Sequence, residues 1–291
     1  MNKLGVHALV FSDTWNAESA KIACDNAARI GFDLIEVLVF DPAALDVEMT
    51  RRAAKDAGVE LRLGMALGPG SDLSSLEQEV HAAGKRDVIR CLEIASELET
   101  PGVSGITYAA FNAYDAPHND AQYEQVVEAF SGLDEKAGEL GVRLGIEPVN
   151  RYESYMIQTL DQGAKLIADS GTKNTFLHMD TFHMNIEEGD LADTIARNGT
   201  LLGYAHLAEN DRGILGAGSF DFTAYFRALA QAGYEGDFTV ESFSPAVLGK
   251  DIVGAIGLWR TPWTSSNAAA KSALNFMRNQ VEKARESVIV W

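Results

Sequence analysis

Eight short runs of apolar residues recur along the chain, and segments with the periodicity of a helix separate them. The runs are residues 4–11, 34–40, 59–66, 103–109, 142–148, 175–182, 201–207 and 238–243. Continuous apolar strands that alternate with helices are typical of a parallel sheet whose two faces are both buried. The pattern therefore predicts a βα unit that is repeated along the whole chain.

The segments between the runs are predicted to be helices with one apolar face. In residues 121–137, for example, apolar side chains recur at i, i+3, i+4 and i+7. Gly31, Gly58 and Gly141 directly follow such segments, and glycine easily adopts the left-handed conformation that ends a helix. Residues 264–285 are expected to form a final helix beyond the last unit.

The number of units indicates a closed barrel. At 291 residues, of which 46% are hydrophobic, the chain is long enough for one barrel or for two smaller domains. An open doubly wound sheet typically has a glycine-rich phosphate-binding turn after its first strand, whereas residues 11–15 of this chain read FSDTW. No shift in composition marks a linker. We therefore predict an α/β fold, a single-domain (β/α)8 TIM barrel over residues 1–291 with an extra C-terminal helix.

The acidic composition argues against nucleic acid and membranes as partners. The chain has 24 Lys and Arg against 42 Asp and Glu, and its net charge of −18 would repel phosphate backbones and anionic lipids. The two cysteines, Cys24 and Cys91, lie in helical segments and are expected to be reduced. Neither a secretory leader nor a long apolar span is evident, so we expect a cytoplasmic protein.

Acidic and histidine side chains stand at the ends of the last four predicted strands. Glu147 ends the fifth strand and Asp180 the sixth, with His183 just beyond it. His206 ends the seventh strand and Glu241 the eighth. In a barrel these strand ends face one pocket, and carboxylates buried together require a cation because they cannot all ionise in a medium of low dielectric. The sequence thus predicts a divalent metal site, and its oxygen-rich ligands suit Mn²⁺, Co²⁺ or Mg²⁺ better than a closed zinc site.

Each of these residues alone also has a structural explanation. A carboxylate at a strand end often caps the next helix, and a lone histidine is often a hydrogen-bonded core residue. Their joint occurrence on consecutive strands favours a functional site. Pro148 adds to this, because the residue before a proline is held extended, so Glu147 is expected to point towards the barrel mouth.

Four segments resemble the ketose 3-epimerases, the group of D-tagatose, D-allulose and L-ribulose 3-epimerases among the xylose isomerase-like barrels. They are GIEPVNRYE, HMDTFHMNIEE, YAHLAENDRGILGAGSFDF and VESFS, in that order on the fifth to eighth predicted strands. The resemblance implies an isomerase that uses one divalent metal per subunit, Mn²⁺ before Co²⁺ or Mg²⁺. The metal ligands that it implies are Glu147, Asp180, His206 and Glu241.

The resemblance also implies how the reaction would proceed on a free ketohexose or ketopentose. Glu153, His183 and Arg212 would hold the sugar hydroxyls, and Glu147 and Glu241 would act as acid and base. A metal bound to O2 and O3 would make the C3 proton more acidic. One glutamate would remove that proton to give a cis-enediolate, and the other would return a proton from the opposite side, which inverts C3.

Four further residues have open interpretations. His7, on the first strand, either contacts the sugar or is a buried structural histidine. Phe111 follows the fourth strand where some of the resembling enzymes have Trp, and we expect it to contact the substrate. Glu36, inside the second strand, either supports the site from behind or is structural, and His178 is interpreted as a packing residue.

Several alternatives and one expectation about assembly accompany this interpretation. An aldose–ketose or hydroxypyruvate-type isomerase would act between C1 and C2 on the same barrel. An epimerase of a ketose phosphate is conceivable because Arg212 lies in a glycine-rich loop, a common phosphate site in such barrels. An endonuclease for abasic DNA would need a basic face, and a binding module would not need two opposed carboxylates. We expect a homodimer or homotetramer, with the apolar residues 288–291 as a candidate contact surface.

Overall fold

Eight parallel strands close into a barrel in which each strand pairs with its neighbours in chain order. The computed structural model describes residues 2–289, and the side chains as far as residue 286. The strands are β1 Leu4–His7, β2 Leu34–Val39, β3 Glu60–Leu67, β4 Gly102–Ala110, β5 Arg143–Ile146, β6 Thr175–Asp180, β7 Leu202–Leu207 and β8 Asp237–Val240. The predicted (β/α)8 TIM barrel is confirmed.

Helices connect the strands and cover the outside of the barrel. They are α1 Ala17–Ile30, α2 Val47–Ala57, α3 Gln78–Glu97, α4 Asp120–Leu140, α5 Leu160–Ser170, α6 Thr181–Glu187, α7 Leu191–Asn198, α8 Phe222–Gln231, α9 Lys250–Ala255 and α10 Ser266–Ile289. The helices predicted for residues 121–137 and 264–285 correspond to α4 and α10. The extra C-terminal helix is therefore present.

The helix ends follow the residue types seen in the sequence. Gly31, Gly58 and Gly141 are left-handed, and the backbone N–H of each donates to a carbonyl of the last helical turn. At the other end of α4, the side chain of Asn119 accepts from the backbone N–H of Gln122, whose own side chain accepts from the backbone N–H of Asn119. These local bonds end the helices where the strands must begin.

Several strands are shorter than the apolar runs predict, and for β1 and β6 a side chain explains the difference. Strand β1 ends at His7, because the Nδ1 atom of His7 accepts from the backbone N–H of Leu9 and begins a 3-10 turn at Ala8–Val10. Strand β6 ends at Asp180, whose carboxylate accepts from the backbone N–H of Phe182 at 2.7 Å and caps α6. In both cases the residue that ends the strand is a candidate site residue.

One continuous apolar core joins the strands to the inner faces of the helices. Gly105 lies inside it in β4 with a φ of +129°, and a Cβ there would approach the Met65 carbonyl oxygen to 2.1 Å. Only glycine fits at this position. Within residues 2–289, no helix combines the length and the hydropathy that a membrane crossing requires. Residues 288–291, predicted as a contact surface, lie outside the part of the chain whose side chains the structure describes.

Candidate active site

The barrel brings four of the candidate residues to the carboxyl ends of neighbouring strands. Glu147 and Glu241 immediately follow β5 and β8, and each is held by its backbone N–H, which donates to Gly105 O and to Leu207 O at 3.0 Å. Asp180 is the last residue of β6 and pairs in register with His206 of β7. All four side chains are buried.

The imidazole of His206 lies at the centre of the three carboxylates. Its Nδ1 atom is 3.3 Å from Glu241 Oε1, 3.6 Å from Glu147 Oε1 and 3.9 Å from Asp180 Oδ2. The ligand atoms of Asp180, His206 and Glu241 lie within 4.8 Å of one another. The expected convergence of these side chains is therefore observed.

Arg212 supplies positive charge to the same cluster. Its Nη1 atom donates to Asp180 Oδ2 at 2.7 Å and also to Glu241 Oε2. The guanidinium lies 4.2 Å from the centre of the Phe182 ring, and the backbone of Arg212 has a φ of +58°. This left-handed conformation is uncommon for a residue other than glycine, and it occurs here at a residue that bonds to two carboxylates of the cluster.

The ring of His183 is oriented by Asn150, a residue that the motifs in the sequence did not single out. The backbone N–H of Asn150 donates to His183 Nδ1 at 3.1 Å, and the side-chain Nδ2 lies 2.8 Å from the same atom. The other ring nitrogen, Nε2, lies 3.2 Å from Arg212 Nη2 and 3.7 to 3.9 Å from carboxylate oxygens of Asp180, Glu147 and Glu153. Asn150 Nδ2 also donates to Glu153 Oε1 at 3.0 Å. His183 and Glu153 thus form one wall of the site.

His7 joins the cluster from β1, the strand that pairs with β8. Its Nδ1 atom accepts from Leu9, so that Nε2 carries the proton and lies 3.8 Å from Glu241 Oε1. The ring packs edge-on against Phe243 and His206. One nitrogen of His7 therefore forms a hydrogen bond with the backbone, and the other nitrogen faces Glu241 of the cluster.

Phe111 lies at the carboxyl end of β4. It directly follows β4, its backbone N–H donates to Leu67 O at 2.8 Å, and its half-buried ring packs against the main core. A cavity of about 630 Å³ opens beside the cluster, and Phe182, Arg212 and Trp259 are among its lining residues. A cavity of this size accommodates a small ligand such as a monosaccharide.

Two residues behind the cluster, Glu36 and His178, lie close to its members, although the sequence did not select either as a site residue. Glu36 of β2 contacts His206 directly, with 2.6 Å between Oε2 and Nε2. His178, interpreted as packing, lies with its Nδ1 atom 3.6 Å from Glu147 Oε2 and 3.2 Å from Ser104 Oγ. The sequence contained a signal for each residue. The period of two in a strand puts His178 on the same face as Asp180, and Glu36 is a charged residue within an apolar strand.

The cluster shifts the pKa values of its members in different directions. Burial raises the pKa of Glu147, against the opposing effect of His206. Burial would raise the pKa of Asp180 as well, but Arg212 and His183 lower it to about 2. Burial would lower the pKa of His206, yet Glu36 and Glu241 raise it well above its ordinary value. The carboxylates thus favour a cation at their centre.

The donor atoms fit a divalent metal. His206 Nδ1 is buried without a hydrogen-bond partner and points at three carboxylates. A ligating histidine presents one nitrogen in this way while its other nitrogen bonds to a carboxylate, as His206 does with Glu36. One imidazole with several carboxylates is a donor set suited to Mn²⁺ or another divalent ion that prefers oxygen ligands.

Sequence comparisons show which known proteins this chain is similar to. A family model described as xylose isomerase-like TIM barrel matches residues 24–280. The chain is 36% identical over 290 residues to the L-ribulose 3-epimerase of Mesorhizobium japonicum, across 98% of this chain and 96% of that protein. It is 33% identical over 276 residues to the L-ribulose 3-epimerase of Methylomonas sp., across 95% of this chain and 96% of that protein.

Solved structures agree with the sequence comparisons. An L-ribulose 3-epimerase structure superposes with a TM-score of 0.95 and 34% identity, over 100% of this chain and 98% of the other. The D-allulose 3-epimerase of Methylomonas sp. in complex with D-allulose gives a TM-score of 0.93 and 33% identity, over 96% of this chain and 97% of the other.

Proposed function

This chain belongs to the xylose isomerase-like TIM barrel family and, within it, to the ketose 3-epimerases, and from that premise we propose that it inverts C3 of a free ketohexose or ketopentose with the help of one divalent metal ion. That the protein is a carbohydrate 3-epimerase follows from the family. Its substrate, metal ion and residue roles are the parts that we propose.

The observation that carries the proposal is the pair of glutamates after β5 and β8. Glu147 and Glu241 reach the same imidazole nitrogen of His206, at 3.6 and 3.3 Å, from different strands of the barrel. Inversion at carbon requires that a proton leave from one face and return to the other. Two carboxylates that approach one point from different strands are suited to this task.

We propose that Glu147, Asp180, His206 and Glu241 hold the metal ion. When bound to the sugar, such an ion polarises the C2 carbonyl and makes the C3 proton more acidic. Mn²⁺ is the first candidate, with Co²⁺ and Mg²⁺ as alternatives, because the donor set is rich in oxygen.

The protein side chains would then carry the proton transfers. One of the two glutamates removes the C3 proton of the ketose, and the other glutamate delivers a proton to C3 from the opposite face. Arg212 donates to sugar oxygens, His183 contacts a sugar oxygen through Nε2, and Glu153 accepts from a hydroxyl. His7 and Phe111 are proposed to contact the parts of the sugar that do not react.

The first substrates to test follow from the relatives. Proteins named L-ribulose 3-epimerase and a D-allulose 3-epimerase bound to D-allulose are similar to this chain. We propose L-ribulose and D-allulose as substrates, together with D-fructose and D-tagatose.

We also propose that the protein is a homodimer or homotetramer. Light scattering would contradict this proposal if it gave the mass of one 31.5 kDa chain.

The deciding experiment incubates the Mn²⁺-loaded protein with each ketose in D₂O and identifies products by chromatography and NMR. We expect the C3 epimer with deuterium at C3. An aldose product with deuterium at C1 or C2 would instead indicate an aldose–ketose isomerase. If no free ketose reacts and a ketose phosphate does, the substrate proposal is wrong while the epimerase assignment stands.

A further inference from the structure

Glu36 is a charged residue in the middle of an apolar strand, and it lies inside the barrel. It belongs to β2, whose sequence is LIEVLV, and only 1% of its surface is exposed. Isolated charges at such depth are costly unless they are paired and hydrogen-bonded. Its partners therefore indicate its role.

The partners of Glu36 form a chain whose hydrogen positions can be assigned. A carboxylate only accepts, so Tyr204 must donate its single hydroxyl proton to Glu36 Oε2, at 2.6 Å. The Thr239 hydroxyl, 2.5 Å from the Tyr204 oxygen, must then donate to Tyr204. His206 also contacts Glu36 Oε2, at 2.6 Å, and must place a proton on its Nε2 atom.

Two glycines make room for this arrangement. A Cβ on Gly64 of β3 would lie 2.6 Å from Glu36 Oε1, and a Cβ on Gly5 of β1 would lie 2.5 Å from Thr239 Oγ1. Real Cβ atoms do not approach other atoms so closely, so a side chain at either position would displace the network. The network thus depends on residues from β1, β2, β3, β7 and β8.

We propose that Glu36 is a positioning residue for the metal centre, an inference that rests on the metal site proposed above. By accepting from Nε2–H it holds His206 in the tautomer whose Nδ1 lone pair points at Glu241, Glu147 and Asp180. It also makes that lone pair a stronger ligand, because the negative charge of Glu36 increases the basicity of the ring. In this proposal Glu36 acts through His206 and not directly on the substrate or the metal ion.

The test measures Mn²⁺ affinity in the absence of sugar, by competition with a fluorescent chelator. Glu36→Gln keeps an oxygen for His206 but removes the charge, and we expect affinity to fall about 10-fold. Glu36→Leu removes the acceptor as well, and we expect a loss of about 100-fold. If the leucine variant does not fold, the glutamine variant still decides the question.

Asp134→Asn is the matched control. Asp134 is also a buried carboxylate, but it accepts from the backbone N–H groups of Lys173 and Asn174 where the chain enters β6. It has no contact with His206 among those observed, so its variant should bind Mn²⁺ within about twofold of the original protein, as expected of a distant site. An equal loss in this control would overturn the inference.

A second measurement reads the tautomer directly. In the Mg²⁺-loaded, ¹⁵N-histidine-labelled protein, we expect one His206 ring with a protected Nε2–H, and we expect that signal to be lost in Glu36→Leu. Unchanged affinity and an unchanged tautomer in both Glu36 variants would overturn the proposal. If the original protein binds no Mn²⁺ at all, the proposed metal site itself is wrong.

Discussion

At the scale of single residues, the site is built from side chains with two functions. One atom of each side chain forms a hydrogen bond with the backbone, and another atom faces the charged cluster. Asp180 caps α6 through Oδ1 and meets Arg212 through Oδ2. His183 accepts from Asn150 with Nδ1 and turns Nε2 to the carboxylates. The hydrogen bond to the backbone fixes the rotamer of each side chain. Catalysis by preorganised groups requires side chains that are fixed in this way.

The two glutamates give the sharpest prediction at this scale. Glu147→Gln and Glu241→Gln should each lower kcat for epimerisation by about 10²–10⁴-fold, because each removes one acid–base group. Each variant should still exchange the C3 proton of one epimer with D₂O, and the two variants should act on opposite epimers. NMR of both epimers in D₂O measures this. Epimerisation by either variant at a rate close to that of the original protein would contradict the two-base mechanism.

Asn150 provides a second prediction. Asn150→Ala removes the Nδ2 bonds to His183 and Glu153, and losing buried hydrogen bonds of this kind costs about 1–2 kcal/mol. We therefore expect kcat/KM to fall about 5- to 30-fold, mainly through KM. Mn²⁺ affinity should not change, since Asn150 makes no observed bond to the proposed ligands. A loss of metal affinity would mean that the substitution disturbs the whole site.

At the scale of elements, the site depends on how neighbouring strands and loops hold one another. The Gly105 carbonyl of β4 accepts from the backbone N–H of Glu147, just after β5. The Arg212 carbonyl, in the loop after β7, accepts from the backbone N–H of Phe243, after β8, at 2.8 Å. The loops that present reactive groups are therefore tied to adjacent strands rather than free at the mouth.

Gly105→Ala tests this dependence. The new Cβ would meet the Met65 carbonyl at 2.1 Å, and the φ of +129° is unfavourable for alanine. We expect a loss of more than about 3 kcal/mol in the free energy of unfolding, measured with denaturant. The control is Gly132→Ala in α4, where no atom lies within 4 Å of the new Cβ. It should stabilise the protein by about 0.5–1 kcal/mol because alanine favours a helix.

At the scale of the whole molecule, the barrel encloses more negative than positive charge. The buried carboxylates of Glu147, Glu153, Asp180 and Glu241 lie around His206, His183 and Arg212, and that of Glu36 lies behind His206. A bound cation would relieve their mutual repulsion. Because the proposed ligands come from four strands, a bound ion would also tie those strands together.

We therefore expect Mn²⁺ to stabilise the protein against heat. At a free concentration 100 times the Kd, binding adds about 2.7 kcal/mol, or roughly 5 °C in Tm for a chain of this length. Scanning calorimetry with Mn²⁺ and with EDTA measures the shift. Asp180→Asn should lose most of it, whereas Asp134→Asn should retain it. An identical Tm with and without Mn²⁺ would count against the metal site.

Much of the fold and part of the site can be predicted from local patterns. Apolar runs, helical periods and glycine caps are local signals, and all eight strands, α4 and α10 agree with them. Glu147, Asp180, His206 and Glu241 could be selected because barrel strand ends share one pocket. Asn150 and the role of Glu36 could not, because each depends on a partner that is distant in the chain or on a side-chain rotamer.

The sequence by itself determined the order of strands and helices, the barrel and the family, because these depend on periodicity and on motifs within single segments. Only the tertiary structure decided which nitrogen of His206 faces the carboxylates and that Arg212 bridges Asp180 and Glu241. Only the structure, likewise, made Glu36 a partner of His206 across 170 positions of sequence. The reason is physical. Whether two groups form a hydrogen bond depends on differences of a few tenths of an ångström in their separation, and these groups meet only when the barrel closes.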